Sequence, residues 1–191
     1  MGIEGVSLGG TIGRANLDGT GVQESFISGI EVAGTGVFQS FPGINGCGLA
    51  VDETHIYWSN ASAGTIGRAN LDGTDVNPGF IVTGLAASAR PSPSVCGVVV
   101  DGAHIYWGNS DGTIGRANLD GTGENTHFIS EPGLSGSFLL PCAHDSTYLY
   151  WVWGGRSASS SSIGRARLDG TDVRADFITG VDHASGCAVG S

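Results

Sequence analysis

The sequence predicts an all-β fold made of one repeated unit, and two observations support that prediction. The string Ile-Gly-Arg-Ala-(Asn/Arg)-Leu-Asp-Gly-Thr occurs four times in 191 residues, beginning at Ile12, Ile66, Ile114 and Ile163. The other apolar runs are short and rich in Val, Ile, Tyr and Trp, which suit a pleated and packed surface. Since no stretch sustains the 3.6-residue period of a long helix, we expect short strands throughout.

Each repeat contains four apolar or alternating runs separated by turn residues. A run such as His55–Asn60 precedes the repeated string, and an earlier run opens each unit at a cysteine. The Asp-Gly pair that ends the string is a strong signal for a tight turn, and a Phe-Ile pair comes after it. Four strands at a period of about 45–49 residues are typical of a β-propeller blade. The sequence therefore predicts a propeller with four blades of four antiparallel strands.

The two ends of the chain predict how this ring closes. Residues 3–11 align with residues 105–113, so the chain begins at the second strand of a blade, whereas Cys187–Ser191 matches a first strand. The C-terminal strand can then complete the N-terminal blade and hide its edge. We expect a monomer; the alternative is an eight-bladed ring formed by a homodimer. The single domain 1–191 divides into blade 1 (1–46 plus 187–191), blade 2 (47–95), blade 3 (96–141) and blade 4 (142–186).

The strings Ile56–Asn60 and Ile66–Gly73 resemble the YWTD family of β-propellers, the class named for low-density-lipoprotein-receptor modules. The resemblance extends over nearly the whole chain. The sequence departs from the family where Asn60 and Asn109 replace its acidic residue after Tyr-Trp, and where four units replace its usual six blades. The resemblance implies protein–protein recognition as the commonest use. Related propellers also include sugar binders and metal-assisted lyases or lactonases.

Charge and composition narrow the class of partner. The chain has no Lys, 8 basic residues in all, 18 acidic residues and a formal net charge of −10. Nucleic acid is not expected as a partner, because phosphate contacts need clustered Lys and Arg. A membrane is not expected either, since no apolar run approaches the ~20 residues that span a bilayer. No signal peptide is visible at the N-terminus, so we expect an acidic soluble protein, with the cytoplasm favoured and the compartment undecided.

Propeller geometry separates a uniform face from a variable face. The turns between strands one and two and between strands three and four are nearly identical, whereas the other loops differ in every unit. Function concentrates on variable loops held by a rigid scaffold, so a ligand is expected on the variable face at the channel mouth. Aromatic and Arg side chains are the types enriched in binding hot spots; the alternative is that the aromatics only cap the loops. The expected ligand-binding residues are Phe38, Phe41, Arg90, Phe138, Trp153 and Arg156.

One cysteine opens each inner strand, and the four are expected to form a ring around the channel. Three roles remain open for Cys47, Cys96, Cys142 and Cys187. In the first, the cysteines are small buried hydrophobes copied by duplication. In the second, they form two disulfides between blades, which require Cα separations of about 4.4–6.8 Å. In the third, they are ligands of a metal. No cofactor is predicted and no metal is assigned, although the third role would place an ion in the channel.

The expected function is a binding or protein-interaction module whose ligand is a protein, a small molecule or a carbohydrate. The alternative is a small propeller enzyme, a lyase, hydrolase or cyclase, that acts at the channel mouth. No catalytic residue is identified, and the candidates for acid–base work are His183 with Asp182, and then His144. No nucleophile elbow, HExxH, P-loop or dinucleotide motif is present.

An arginine recurs in every copy of the string, at Arg14, Arg68, Arg116 and Arg165. Such regularity indicates a scaffold role, because a perturbed charge in every blade cannot be catalytic each time. We expect each arginine to pair with a neighbouring carboxylate such as Asp52, Asp101 or Asp145.

Overall fold

The computed structural model describes residues 9–31, 48–61, 63–84, 95–131, 138–154, 160–182, 184 and 186–190. All regular secondary structure in these residues is β-strand, which confirms the all-β prediction. Within the same residues there is no helix of the length and apolar character needed to cross a lipid bilayer.

The strands form the predicted blades as consecutive antiparallel sheets. In the described part of blade 1 the strands are β1 (Gly9–Arg14) and β2 (Gln23–Glu31). Blade 2 contains β3 (Leu49–Val51), β4 (His55–Asn60), β5 (Thr65–Asn70) and β6 (Asn77–Val82). Blade 3 contains β7 (Val95–Val100), β8 (His104–Asn109), β9 (Thr113–Asn118) and β10 (Asn125–Ser130). Blade 4 contains β11 (Phe138–His144), β12 (Tyr148–Gly154), β13 (Ser160–Arg167) and β14 (Arg174–Asp182).

The inner strand of blade 4 begins before the cysteine that was expected to open it. β11 starts at Phe138, which pairs with Gly154 of β12. The apolar run continues into the core here, because Leu139 is fully buried. A shift in register between Pro141 and Ala143 accommodates the proline, which cannot donate a hydrogen bond within a regular ladder.

The hydrophobic core lies between consecutive blades, where the facing sides of two sheets pack together. We call the side that faces the following blade the front and the other side the back. Successive side chains of a strand point to opposite sides, so Tyr57 of the Ile-Tyr-Trp run lies on the front of blade 2 and Trp58 on its back. The front residues Tyr57, Ile66 and Ile81 pack with the back residues Ile105, Trp107 and Ala117 of blade 3. Equivalent residues pack between blades 1 and 2 and between blades 3 and 4.

The glycine of the repeated string lies directly across from the buried tryptophan of the neighbouring strand. The pairs are Trp58 with Gly67, Trp107 with Gly115 and Trp151 with Gly164. A Cβ on any of these glycines would overlap the indole ring of its partner. The string therefore contains Gly where the tryptophan fills the centre of the blade.

The arginine of the string joins two blades, and the expected pairing with a carboxylate is wrong. The guanidinium of Arg116 lies 3.8 Å from the centroid of the Phe128 ring, and its Nη1 donates a hydrogen bond to the Leu168 carbonyl of blade 4 at 3.2 Å. The nearby carboxylate of Asp101 already accepts hydrogen bonds from other groups. Arg116 instead contacts an aromatic ring of its own blade and donates to a backbone oxygen of the next blade.

The aspartates expected to hold the arginines form the turns of the uniform face. Asp101 accepts hydrogen bonds from the Ala103 and His104 amides at 2.7 and 2.6 Å and from the Tyr106 hydroxyl at 2.9 Å. Burial opposes the charged form, but these hydrogen bonds outweigh it and hold the pKa of Asp101 below its ordinary value. Burial and the Asp101 carboxylate raise the pKa of Tyr106. The equivalent pairs are Asp52 with Tyr57 and Asp145 with Tyr150.

The C-terminal segment does not form the strand expected at Cys187–Ser191. Residues 186–190 have no strand assignment and belong to none of the sheets in the described part of the chain. Instead, Cys187 is joined by a disulfide to Cys142 of β11, with a Cα–Cα distance of 5.3 Å. The segment is therefore held at the inner edge of blade 4 by a covalent bond.

Candidate functional site

The described inner strands line a wide-open pocket with a volume of about 340 Å³, which we call the channel. Four short segments line it, and each contains or comes soon after one of the four recurring cysteines in the sequence. They are Leu49–Val51 of β3, Val98–Val100 of β7, Cys142–His144 of β11 and Cys187–Val189. The repeat thus brings equivalent positions of successive units to one axis.

The residues that line this channel are mainly apolar in type, but their backbone gives the wall at least as much polar as apolar surface. Among the residues that line it, His144 alone has a titratable side chain, because Cys142 and Cys187 are joined in a disulfide. The half-buried His144 has its Nδ1 3.1 Å from the carbonyl oxygen of Asp145. No group of three or more His, Cys, Asp or Glu side chains that could hold a metal occurs in the described ranges. The described wall therefore offers both apolar side chains and polar backbone groups for contact.

The three cysteines in the described residues are disulfide-bonded, which is the second of the three roles left open by the sequence. Cys142 and Cys187 form one disulfide, and Cys96 is also disulfide-bonded. The fourth cysteine, Cys47, lies outside the described residues. A sulfur in a disulfide has no thiolate to offer a metal, so these three do not act as metal ligands in this state.

Most of the ligand-binding residues expected from the sequence lie outside the described residues. These are Phe38, Phe41, Arg90 and Arg156, together with the catalytic candidate His183. Phe138 is the first residue of β11, and Asp182 is the last residue of β14, where it pairs with Ser160. Both were expected in loops, so strands extend further toward the variable face than the sequence indicated.

Trp153 packs within the scaffold. It is half-buried on β12, it contacts the core between blades 3 and 4, and its Nε1 donates a hydrogen bond to the Ala175 carbonyl at 2.7 Å. This contact matches the alternative in which an aromatic residue covers the blade. Its indole is therefore committed to packing and not free for a ligand.

A contact between a histidine and a carboxylate at the edge of the variable face was not expected from the sequence. Nε2 of His127 lies 3.3 Å from Oδ2 of Asp111, and both side chains are solvent-accessible. Asp111 also accepts hydrogen bonds from the amide and hydroxyl of Thr113 at 3.1 and 2.7 Å. The sequence could have indicated this contact, because Asp111 is not part of the repeated pattern: the equivalent position in blade 2 is Ala63. This contact gives blade 3 a polar feature that blade 2 lacks.

The uniform face is acidic, and its carboxylates serve the turns. Asp120 accepts hydrogen bonds from the hydroxyl and amide of Thr122 at 2.6 and 2.9 Å. These bonds hold the pKa of Asp120 below its ordinary value. Gly121 comes next with a φ of 84°, a conformation that favours glycine. Asp18, Asp72 and Asp169 make the same contacts in the other blades.

Comparisons with known proteins support the β-propeller assignment. No protein-family model and no curated protein sequence matches the chain. Among solved structures, it is similar to the β-propeller of nidogen in the crystal structure of a nidogen/laminin complex, with a TM-score of 0.61 and 26% identity. That match covers 86% of this chain and 57% of the other, so this chain spans little more than half of that relative's length.

Two designed proteins show weaker similarity. The computationally designed Ika4 protein matches with a TM-score of 0.46 and 15% identity, over 71% of this chain and 74% of its own. The computationally designed Ika8 protein matches with a TM-score of 0.43 and 16% identity, over 75% and 37%. The first comparison, to nidogen, therefore carries the structural likeness: this chain is an all-β propeller similar to a YWTD-type propeller.

Proposed function

We propose that this chain is a protein-binding module whose partner contacts the variable face at the mouth of the channel. The observation that carries the proposal is the similarity to the nidogen propeller seen in a complex with laminin, over 86% of this chain. The rigid frame of the blades is a second support, since function concentrates on variable loops held by a rigid scaffold.

We place the partner on the variable face because the polar groups of the uniform face are already hydrogen-bonded within its turns. On the uniform face, the Asp and Thr side chains of the four Asp-Gly-Thr turns hydrogen-bond to each other and to the backbone. The loops of the variable face differ between units in the sequence, so they present a distinct set of side chains. We place Phe38, Phe41, Arg90 and Arg156 in the contact surface as part of this proposal.

The disulfides indicate the type of cellular compartment in which the protein works. Cys142, Cys187 and Cys96 are all disulfide-bonded, and disulfides persist in oxidising environments, whereas the cytosol keeps most thiols reduced. We therefore propose that the protein works in an oxidising compartment, in place of the cytoplasm favoured by the sequence. Thiol labelling of the protein in intact producing cells tests this: blocked cysteines support it, and four labelled cysteines contradict it.

A capture experiment with three immobilised forms tests the binding function. The forms are the wild-type chain, the double variant Arg90→Ala/Arg156→Ala on the variable face, and the control Arg174→Ala. Arg174 is 58% exposed and pairs with Asp172 at 3.2 Å on the uniform side. The control variant therefore loses an exposed arginine charge away from the proposed contact surface. We expect a protein that the wild type and the control retain and that the double variant retains at least tenfold less. Equal retention by all three forms, or none by the wild type, would refute the proposal.

A further inference from the structure

Three junctions between consecutive blades use one recurring contact. Arg14, Arg68 and Arg116 each lie over the ring of a phenylalanine on the front of their own blade, at 4.0, 3.9 and 3.8 Å. Each donates a hydrogen bond from Nη1 to a leucine carbonyl of the next blade, at 3.4, 3.3 and 3.2 Å. The acceptors are Leu71, Leu119 and Leu168. The isoleucine next to the phenylalanine is buried at each junction, as Ile129 is at 2% exposure.

The front of blade 4 carries the donor half of this contact and remains uncovered. Arg165 lies 4.0 Å from the centroid of the Phe177 ring, as at the other junctions. Its Nε is buried without a hydrogen-bond partner, and in the described residues its Nη1, the atom that donates at the other junctions, reaches no leucine carbonyl of a following blade. Phe177 is 39% exposed and Ile178 is 45% exposed, in contrast to the buried Ile129. An apolar surface that is closed at three junctions is thus open here.

The back of blade 1 carries the acceptor half and is also uncovered. Leu17 occupies the position of Leu71, Leu119 and Leu168 in the repeated string, and its side chain is fully exposed. Ala15 is exposed as well, although the equivalent Ala69 and Ala117 are each 1% exposed. The back of blade 1 and the front of blade 4 therefore hold complementary halves of one contact, and in the described residues they do not meet.

The C-terminal segment independently indicates that a further blade packs against blade 4. Cys187–Val189 repeats the start of an inner strand and lines the channel beside β11, to which the Cys142–Cys187 disulfide ties it. It has no ladder partner in the described residues. Its position is that of an inner strand belonging to the blade after blade 4. The described part of blade 1 contains its two outer strands, β1 and β2.

From these observations we propose that a second copy of this chain closes the ring. The front of blade 4 in each copy packs on the back of blade 1 in the other, and the C-terminal segment of each copy supplies the inner strand of the other's blade 1. Arg165 then donates to the Leu17 carbonyl of the second copy, as Arg116 does to Leu168 within the chain. Two copies make two identical junctions and a closed ring of eight blades.

A second copy fits these surfaces because it carries both missing halves. The contact is apolar with an arginine-to-carbonyl hydrogen bond, so the junction itself needs no opposite charge. Each chain carries a formal charge of −10, and like-charged copies repel at low ionic strength. The association is therefore expected to strengthen as salt is added, whereas an association held by ion pairs would weaken.

Sedimentation equilibrium of the full chain without reductant tests the ring. We expect twice the chain mass of 19.3 kDa for the wild type, and a single-chain mass for Leu17→Asp and for Phe177→Arg. Val82→Arg is the control, because Val82 is a 65% exposed apolar residue on the outer strand of blade 2; this variant is expected to keep the doubled mass. Circular dichroism spectra like that of the wild type show that the variants remain folded.

Mixing the two end variants tests which surfaces meet. A mixed pair of Leu17→Asp and Phe177→Arg contains one intact junction, and at the other junction the new Asp faces the new Arg. We expect an equimolar mixture to regain the doubled mass that neither variant shows alone. A wild type with the mass of one chain overturns the proposal, as does a dimer that Leu17→Asp leaves intact, since that dimer would join through blade 4 alone.

Discussion

Glycine occurs in the repeated string because a tryptophan fills the space across the strand. Trp107 and Gly115 are directly opposed on β8 and β9, and the buried indole leaves no room for a methyl group. A propeller blade is thin and is packed on both sides, so such an overlap cannot be relieved by a shift toward solvent. This packing explains the glycine of the string in blades 2, 3 and 4.

We predict that Gly115→Ala lowers the free energy of unfolding by about 1–3 kcal/mol, the usual range for overpacking a core. The control is Gly79→Ala on β6, where a new Cβ would find its nearest neighbour at 4.0 Å. Denaturant unfolding of both variants gives the comparison. Equal effects of the two substitutions would contradict the role assigned to Trp107.

The Asp–Tyr pairs of the uniform face make stability depend on pH. The pKa of Asp101 is below its ordinary value in the folded protein, so its charged form stabilises the fold above the unfolded pKa of about 4. That contribution is lost as the pH falls through the lower folded value. Asp52 and Asp145 shift in the same direction and act alongside it.

We predict that Asp101→Asn lowers the free energy of unfolding at pH 7 by about 1–3 kcal/mol, because hydrogen bonds to a charged acceptor are replaced by weaker ones. The difference from the wild type should shrink as the pH is lowered from about 5 to about 2, through the range in which the carboxyl becomes protonated. Unfolding curves measured across this range check the sign. A difference that grows toward acid pH would mean that the neutral carboxyl is the stabilising form.

At the scale of the element, each internal junction is held by the same arginine. Arg116 lies over Phe128 and binds the Leu168 carbonyl of the following blade. The sequence indicated a structural role for this residue but named the wrong partner. The repeat shows that Arg and Asp recur together, but it does not show that Asp101 is already occupied by Tyr106 and two amides.

We predict that Arg116→Ala costs about 1–3 kcal/mol of unfolding free energy, through loss of the ring contact and the hydrogen bond. Arg174→Ala is the matched control and should change stability by no more than about 0.5 kcal/mol, because its ion pair is exposed. Thermal unfolding separates the two. Similar losses for both arginines would show that the junction contact adds nothing.

A covalent bond fixes the C-terminal segment against blade 4. The Cys142–Cys187 disulfide joins residues 45 positions apart, and a cross-link of this kind typically stabilises by about 2–4 kcal/mol. We predict a loss of that size for Cys142→Ser. Urea unfolding without reductant measures it, and an unchanged midpoint would contradict the structural role of the bond.

At the scale of the whole molecule, the sequence predicted most of the scaffold and little of the site. The strands, the blade order and the Asp-Gly turns could be predicted because the repeat occurs four times, so each copy checks the others. The loops of the variable face have no such internal comparison. Trp153 shows the consequence: a non-repeated aromatic residue looked like a ligand contact, and in the structure it covers the core and binds the Ala175 carbonyl.

Closure of the ring was the other property that the repeat could not decide. The alignment of Cys187–Ser191 with a first strand is the same whether that strand completes its own chain or a second copy. The exposure of Ile178 and Ala15 supplies the missing information, because the equivalent isoleucines and alanines are buried at the three internal junctions. These exposed end surfaces favour the second copy.

Native mass spectrometry of the unreduced protein, repeated after denaturation, tests the closed ring and its disulfides most directly. We predict a native mass of two chains of 19.3 kDa. We also predict a denatured single chain four hydrogens lighter than its sequence mass, because Cys142 and Cys187 form one disulfide, Cys96 belongs to a second, and each disulfide removes two hydrogens. A native single chain would contradict closure by a second copy, and a denatured chain with all four thiol hydrogens would contradict the disulfides that hold the inner strands.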